Sequence, residues 1–439
     1  MDDLFRHRVL EATRLTKAGR LMEATSLLLR GGEGIPDTAA NPPAKRGGPI
    51  IEGHAEPVAP ANAPGRDKPG HDKPGHDKRP PPGGPAFGGS GREPPAGSPA
   101  DASQETATPA VAELLRGIFA KAGRGGVRPR PAGGFGGGAP AEARISLPEG
   151  AQFLAATFSN APGSRPYKLY VPSGYRNQAV PLIVMLHGCT QSADDFAAGT
   201  RMNAVAEEKT CLVVYPEQIA AANASKCWNW FNADDQQRDR GEPALIAGIT
   251  RQVMHDYCVD PRRVYVAGLS AGGAAAAVMG AAYPDLYAAI GVHSGLAHGA
   301  ASDMLSGLAA MRQGAAVNGS VPGVTGGRGQ RTMPAIVFHG DRDTTVHPSN
   351  GDAVIAQAMP DIPLSERVQE GRAPGGHAYT VTLHTDPMGE TVLEHWSVRG
   401  AGHAWSGGSP AGSFTDPRGP DASRQMLRFF LEHPRPSGS

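Results

Sequence analysis

Residues 144–435 read as an α/β fold, a mostly parallel sheet with helices on both faces. Three observations carry this. Short, wholly apolar runs at Pro181–Leu186 and Cys211–Tyr215 suit strands covered on both sides. Such runs alternate with segments of helical periodicity. A strand-like run ending at Ala267 passes through Gly268-Leu-Ser-Ala-Gly272 straight into an alanine-rich, uncharged segment.

The elements follow in order. Gln152–Phe158 and Tyr167–Val171 are expected to open the domain as an antiparallel pair. Strands follow at Pro181–Leu186 and Cys211–Tyr215. Glu242–Tyr257 places Leu245, Ile249, Val253 and Tyr257 on one helical face. Arg263–Ala267 is a strand and Ala271–Tyr283 a helix whose small side chains allow close packing on the sheet. Ala288–Val292, Ala335–Phe338, Tyr379–His384 and Thr391–Val398 are further strands. Ser423–Leu431 closes with a helix presenting Met426, Leu427, Phe430 and Leu431.

The first third differs in kind. Residues 1–30 are expected to form a helix, with Phe5, Val9, Ala12, Leu21, Ala24 and Leu28 at three- to four-residue spacing before Gly31-Gly32. Residues 31–143 read as a low-complexity linker. Gly and Pro make 31 of the 70 residues from Gly31 to Ala100, too little apolar surface to offset chain entropy. Its five-residue repeat, Pro69-Gly-His-Asp-Lys and neighbours, is read as spacer rather than metal site. One short helix is expected near 109–121, capped by Thr108.

Several function classes are disfavoured. Lys plus Arg equals Asp plus Glu at 42 each, so charge gives no case for nucleic acid. No run is apolar for long enough to span a bilayer. The first 30 residues do not resemble a signal peptide, which makes a cytoplasmic chain the expectation. Cys189, Cys211, Cys227 and Cys258 match no zinc spacing. Buried thiols are the plain reading, and disulfides are the alternative if the protein is exported.

The chemistry concentrates at Gly268-Leu-Ser270-Ala-Gly272. A serine between strand and helix stands clear of the sheet, with the helix start offering N–H groups to a developing oxyanion. A nucleophilic serine needs a base, and the base an orienting acid. The segment after Ala335–Phe338 supplies two acids, Asp341 and Asp343. Asp343 is preferred and Asp341 read as a turn-former. His403, on a loop past Thr391–Val398, is the expected base over His347, His377, His384 and His395. The second oxyanion donor is expected from the loop after Leu186, at the N–H of Cys189, paired with that of Ala271. Trp228, Trp230 and Trp405 are candidates for lining an apolar substrate cleft, against plain core packing for Trp228 and Trp230. No metal or organic cofactor is required by this chemistry.

Taken together, His187-Gly-Cys-Thr-Gln191, Cys227-Trp-Asn-Trp-Phe231, Gly268-Leu-Ser-Ala-Gly272, His339-Gly-Asp-Arg-Asp343, Gly402-His-Ala-Trp-Ser406 and Asp416-Pro-Arg-Gly-Pro-Asp421 resemble the poly(3-hydroxybutyrate) depolymerase-like esterase family. The resemblance runs from about Ala151 to His433. It implies an α/β-hydrolase fold and serine carboxylesterase chemistry, with Ser270, Asp343 and His403 as triad and Cys189 in the oxyanion role. The expected substrate is poly(3-hydroxybutyrate) or its oligomers, with a polymer granule surface as a candidate partner. Feruloyl or acetyl esters are the alternative, and a non-catalytic granule- or partner-binding protein is an alternative of another class. Many family members are exported, so an extracellular location stands as the second expectation.

Overall fold

The computed structural model describes residues 147–314 and 333–436. The helices expected at 1–30 and 109–121, and the linker around the second, lie outside these residues. The described chain runs β1 (Gln152–Asn160), β2 (Gly163–Val171), β3 (Val180–Leu186), α1 (Ala193–Thr200), α2 (Met202–Lys209), β4 (Leu212–Pro216), α3 (Gly241–Asp256), β5 (Val259–Leu269), α4 (Ala271–Ala282), β6 (Ala289–His293), α5 (Met304–Gln313), β7 (Ala335–Gly340), α6 (Ser349–Ala358), β8 (Ser365–Arg372), β9 (Ala378–Thr385), β10 (Thr391–Val398), β11 (Trp405–Ser406), β12 (Thr415–Asp416) and α7 (Ala422–Glu432).

Ten strands form one sheet in the order β1-β2-β4-β3-β5-β6-β7-β10-β9-β8. The six from β4 to β10 pair in parallel. Antiparallel strands flank them, β1 and β2 on one side and β9 and β8 on the other. The parallel strands are apolar throughout because both faces are covered. Leu182, Val184 and Leu186 enter one core, while Ile183 and Met185 enter the other. The first core is closed by α3, α4 and α6, through residues such as Ile249, Ala276 and Val354. The second is closed by α1, α2 and α7, where Phe430 stacks on Tyr265 with ring centroids 4.9 Å apart.

Helices α1, α2, α5 and α6 and strand β8 were not among the expected elements. β8 reads Ser-Glu-Arg-Val-Gln-Glu-Gly-Arg and is exposed along almost its whole length. An edge strand with both faces wet shows no alternation of apolar and polar residues, so nothing local marks it.

Strand order turns at β3. The chain leaves β3 for β4 on one side and returns as β5 on the other. The loops after β3 and β5 therefore part around a crevice at the carboxyl edge of the sheet, which is where open α/β sheets place their ligands. What brings the two loops together is the absence of side chains. A Cβ on Gly272 would lie 2.0 Å from the Leu186 carbonyl oxygen and 2.5 Å from that of His187. A Cβ on Gly268 would lie 2.2 Å from the Gly272 carbonyl oxygen and 2.7 Å from that of Leu186. These obstacles are backbone, which cannot rotate away. Gly272→Ala is expected to cost at least about 3 kcal/mol. Chemical denaturation of the variant measures this, and a midpoint equal to wild type would contradict the packing described.

Candidate active site

Ser270 occupies the turn between β5 and α4 with φ 58° and ψ −120°. This is strained backbone for a residue bearing a Cβ. It is held by the Ser270 N–H, which donates to the His293 carbonyl at 2.9 Å, and by the Ser270 carbonyl, which accepts from Ala274 N–H at 2.9 Å. The next residue, Ala271, opens α4, so its N–H is among those with no acceptor inside the helix.

Asp343 follows β7 and His403 follows β10, the adjacent strand. His403 Nδ1 donates to Asp343 Oδ2 at 2.7 Å. The other carboxylate oxygen, Oδ1, accepts the N–H groups of Thr345 and Val346, both at 2.9 Å. Burial by itself would raise the pKa of Asp343. Electrostatic attraction to the facing imidazole of His403, and hydrogen bonds from His339 and His403, outweigh it and hold the carboxyl well below the usual range. Asp341 plays a different part, accepting the Gly400 N–H at 2.6 Å and so pinning the loop that leads to His403.

Between Ser270 and this pair lies His293, at the end of β6. Its ring is stacked between Phe338 and Trp405, with centroids 5.7 and 5.0 Å away. Its Nε2 accepts the Ser406 N–H at 2.9 Å. Burial, then the neighbouring imidazoles of His339 and His403, push its pKa down to about 3, so it is neutral at pH 7. His293 thus ties the serine turn to the segment just past His403 without adding charge. It went unread in the sequence because it sits in an apolar strand, where a histidine carries no local signal.

The loop after β3 is braced from within. The Gly188 N–H donates to Gln191 Oε1 at 2.9 Å, and the Gln191 amide in turn donates to Asp195 Oδ2 at 2.8 Å. A Cβ on Gly188 would lie 3.5 Å from Ser270 Cβ, which measures how closely the two loops meet. Cys189 is bonded to Cys227, with Cα atoms 4.2 Å apart and a sequence separation of 38. This corrects the buried-thiol expectation for these two residues. Cys211 is a buried thiol and Cys258 an exposed one. The pairing follows from the sheet, which sets the loops after β3 and β4 side by side, a proximity that sequence spacing does not reveal.

A pocket of about 380 Å³, including the space at its open mouth, lies over Ser270, Ala271 and Cys189. Its other walls are apolar, among them Trp230, Phe231, Leu296, Met311 and Val346. Helix α5 forms one wall through Met304 and Leu308 and is capped by a reciprocal Asp303–Ser306 box. Of the three tryptophans expected at a cleft, Trp230 faces the pocket. Trp228 is fully buried against His187, and Trp405 is buried between Phe196 and His293 with its Nε1–H donating to Ser423 Oγ at 3.1 Å. Both are core residues behind the site, because the loops that carry them fold inward. Among the rival histidines, His377 pairs with Asp416 and His395 faces Asp352.

The topology is that of an α/β hydrolase, with the turn serine, acid and histidine arriving in that order past the ends of the parallel strands β5, β7 and β10. Comparisons with known proteins narrow the class. Residues 165–364 match the family described as Esterase PHB depolymerase. Poly(3-hydroxyalkanoate) depolymerase C of Paucimonas lemoignei is 32% identical over 252 residues, covering 56% of this chain and 60% of that protein. Feruloyl esterase B of Neurospora crassa is 32% identical over 205 residues, 43% of this chain and 67% of that protein. A probable acetylxylan esterase A of Neosartorya fischeri is 28% identical over 203 residues, 44% of this chain and 54% of that protein. The chain belongs to the PHB depolymerase esterase family. It spans 60% and 51% of the lengths of the two depolymerases it matches.

Two outcomes follow from the geometry. A folded-state pKa held below the ordinary value of 3.8 gives Asp343 a stabilising contribution that is present above that pH and fades as pH falls beneath it. Asp343→Asn should therefore flatten the acid limb of a stability-versus-pH curve below about pH 4, as read by thermal unfolding. An acid limb identical to wild type would contradict the assignment of that charge. Cys227→Ser should lower unfolding free energy by about 3–4 kcal/mol, from the chain entropy released when a loop of this length opens. A loss below ~1 kcal/mol would mean the bridge adds little to the fold.

Proposed function

We propose that this chain hydrolyses carboxylic esters through an acyl-enzyme on Ser270, with substrates drawn from 3-hydroxybutyrate oligomers or polymer. The observation that carries the reading is the Asp343–His403 hydrogen bond on the same sheet edge as the strained Ser270 turn. With its Nδ1–H committed to Asp343, neutral His403 has its lone pair on Nε2. It takes the Ser270 proton as Oγ attacks the ester carbonyl. The tetrahedral oxyanion forms against the N–H groups of Cys189 and Ala271. His403 then protonates the leaving alcohol, and water repeats the cycle on the acyl-enzyme. Asp343 stays ionised throughout and stabilises the imidazolium.

Substrate preference rests on the pocket. Walls of Met304, Leu308, Met311, Leu296 and Val346 present aliphatic surface beside the serine, suited to a short aliphatic acyl chain. The similarity to depolymerase C of Paucimonas lemoignei supports a hydroxyalkanoate. A second reading, feruloyl or acetyl esters, draws on the similarity to feruloyl esterase B, of which this chain covers the larger share. The Trp230–Phe231 pair beside the serine could flank an aromatic acyl group in that case.

Among the described residues no helix is long and apolar enough to cross a membrane. The Cys189–Cys227 bridge favours the extracellular expectation over the cytoplasmic one, since such bonds persist in oxidising compartments.

Ser270→Ala should lower kcat for p-nitrophenyl acetate by at least ~10³-fold. Turnover near wild type would remove the serine from the mechanism. Among 3-hydroxybutyrate trimer, methyl ferulate and p-nitrophenyl acetate, the trimer is expected to give the highest kcat/KM. Preference for methyl ferulate would replace the first reading with the second.

A further inference from the structure

The first turn of α3 carries a carboxyl group that the mechanism above does not use. Glu242 is only 5% exposed and is not among the residues lining the pocket. Its Oε2 accepts the Asn229 N–H at 2.7 Å. Its Oε1 accepts the Asn229 side-chain amide at 2.9 Å, the Gln218 side-chain amide, and the Arg165 guanidinium at 3.4 Å. Each of these partners is a donor, and backbone groups fix the direction of both amides. The Gln218 amide nitrogen also donates to the Cys227 carbonyl at 2.9 Å, and a carbonyl only accepts. Asn223 Oδ1 accepts the Ser225 N–H at 2.9 Å, which leaves the Asn223 amide nitrogen to donate to Asn229 Oδ1 at 2.8 Å. The Asn229 amide nitrogen is thereby turned to Glu242. The cluster calls for an acceptor with two oxygens, and an ionised carboxylate at a helix start is that group.

What these bonds hold is the aromatic wall of the pocket. Gln218 grips Cys227 and Glu242 grips Asn229, on either side of the core residue Trp228. The Asn232 N–H closes the turn on the Asn229 carbonyl at 2.9 Å. Trp230 and Phe231 lie between those two residues and line the pocket beside Ser270, packed edge to face with ring centroids 5.7 Å apart. Asp235, in the turn before α3, ties the far end. Its Oδ1 accepts the Glu242 N–H at 2.8 Å and its Oδ2 the Asn232 side-chain amide at 3.1 Å. Arg165 from β2 and Asp235 are the charged groups that act on Glu242. Burial, then the Asp235 carboxylate, pushes the Glu242 pKa up to about 7 against the bonds and the Arg165 charge. The acceptor form therefore prevails above neutral pH, and a proton arriving below it displaces one donor.

On the esterase reading given above, we propose that Glu242 is a positioning residue for substrate choice, holding the Trp230–Phe231 wall against the acyl chain by clamping Cys227 and Asn229 on either side of Trp228. Glu242→Gln keeps the size of the side chain but sets an NH₂ group against a donor. At about pH 8, the kcat/KM of the variant for p-nitrophenyl hexanoate, relative to that for p-nitrophenyl acetate, should fall about 10-fold, the loss expected from burying about two fewer methylene groups. The fall should lie in KM for the hexanoate, with its kcat within about 3-fold of wild type, because the wall touches the chain and not the reacting atoms. In the wild-type protein the same ratio should drop at least about 3-fold between about pH 8 and about pH 6, and in the Gln variant it should stay flat. Both esters use Ser270 and His403, so the titration of His403 cancels in the ratio.

A Gln variant with the wild-type ratio of the two esters overturns the proposal. So does one that loses activity on both esters in equal proportion, since that pattern marks a structural role only. Where the Gln variant does not fold, the wild-type protein decides, and a ratio that stays constant between the two pH values would sink the idea. Loss of all activity in Ser270→Ala beside an unchanged ratio in Glu242→Gln rejects this inference alone. Activity persisting in Ser270→Ala rejects the esterase reading beneath it.

Discussion

Everything at the candidate site depends on how closely the start of α4 passes the end of β3. Two backbones approach until the Leu186 and His187 carbonyls occupy the space a side chain on Gly272 would need. That approach sets Ser270 in its strained turn and lays the loop after β3 over it. The strain is local and modest, on the order of 1–3 kcal/mol for such a conformation. It is held by cooperative features on all sides: the His293 carbonyl, the first turn of α4 and the cores on both faces of the sheet.

Around this crossing, charge is handled economically. Asp343 is the buried anion, and it is satisfied by His403, two backbone N–H groups and nearby His339. His293 and His187 are equally buried, and desolvation lowers the pKa of each while hydrogen bonds engage its ring nitrogens. Of the buried histidines near this carboxylate, His403 and His339 face the anion while His293 joins strand ends. An unpaired buried charge at any of these points would be costly in so dry an environment.

The pocket walls come from segments far apart in the chain. The disulfide joins the loop after β3 to the aromatic run at Cys227–Phe231, and Gly307 lets α5 approach that run, with its Cβ position 3.0 Å from Phe231 Cβ. One wall of the pocket is therefore bridged covalently while another rests on helix packing. Change in substrate range is most easily accommodated at the second.

The sequence by itself determined the parts that are local. Continuous apolar runs announced strands covered on two faces. Glycines two positions either side of Ser270 announced the strand–turn–helix, because that turn tolerates nothing larger. The order of acid and histidine after later strands could be read as well, since each lies just past an apolar run. Only the tertiary structure decided which residues meet across the sheet. It paired Cys189 with Cys227, drew Trp228 and Trp405 into the core, brought α5 over the serine, and gave His187 and His293 their neighbours. Residues like these carry no periodic or spacing signal, because their partners are set by strand order and loop direction, and those emerge only when the whole sheet assembles.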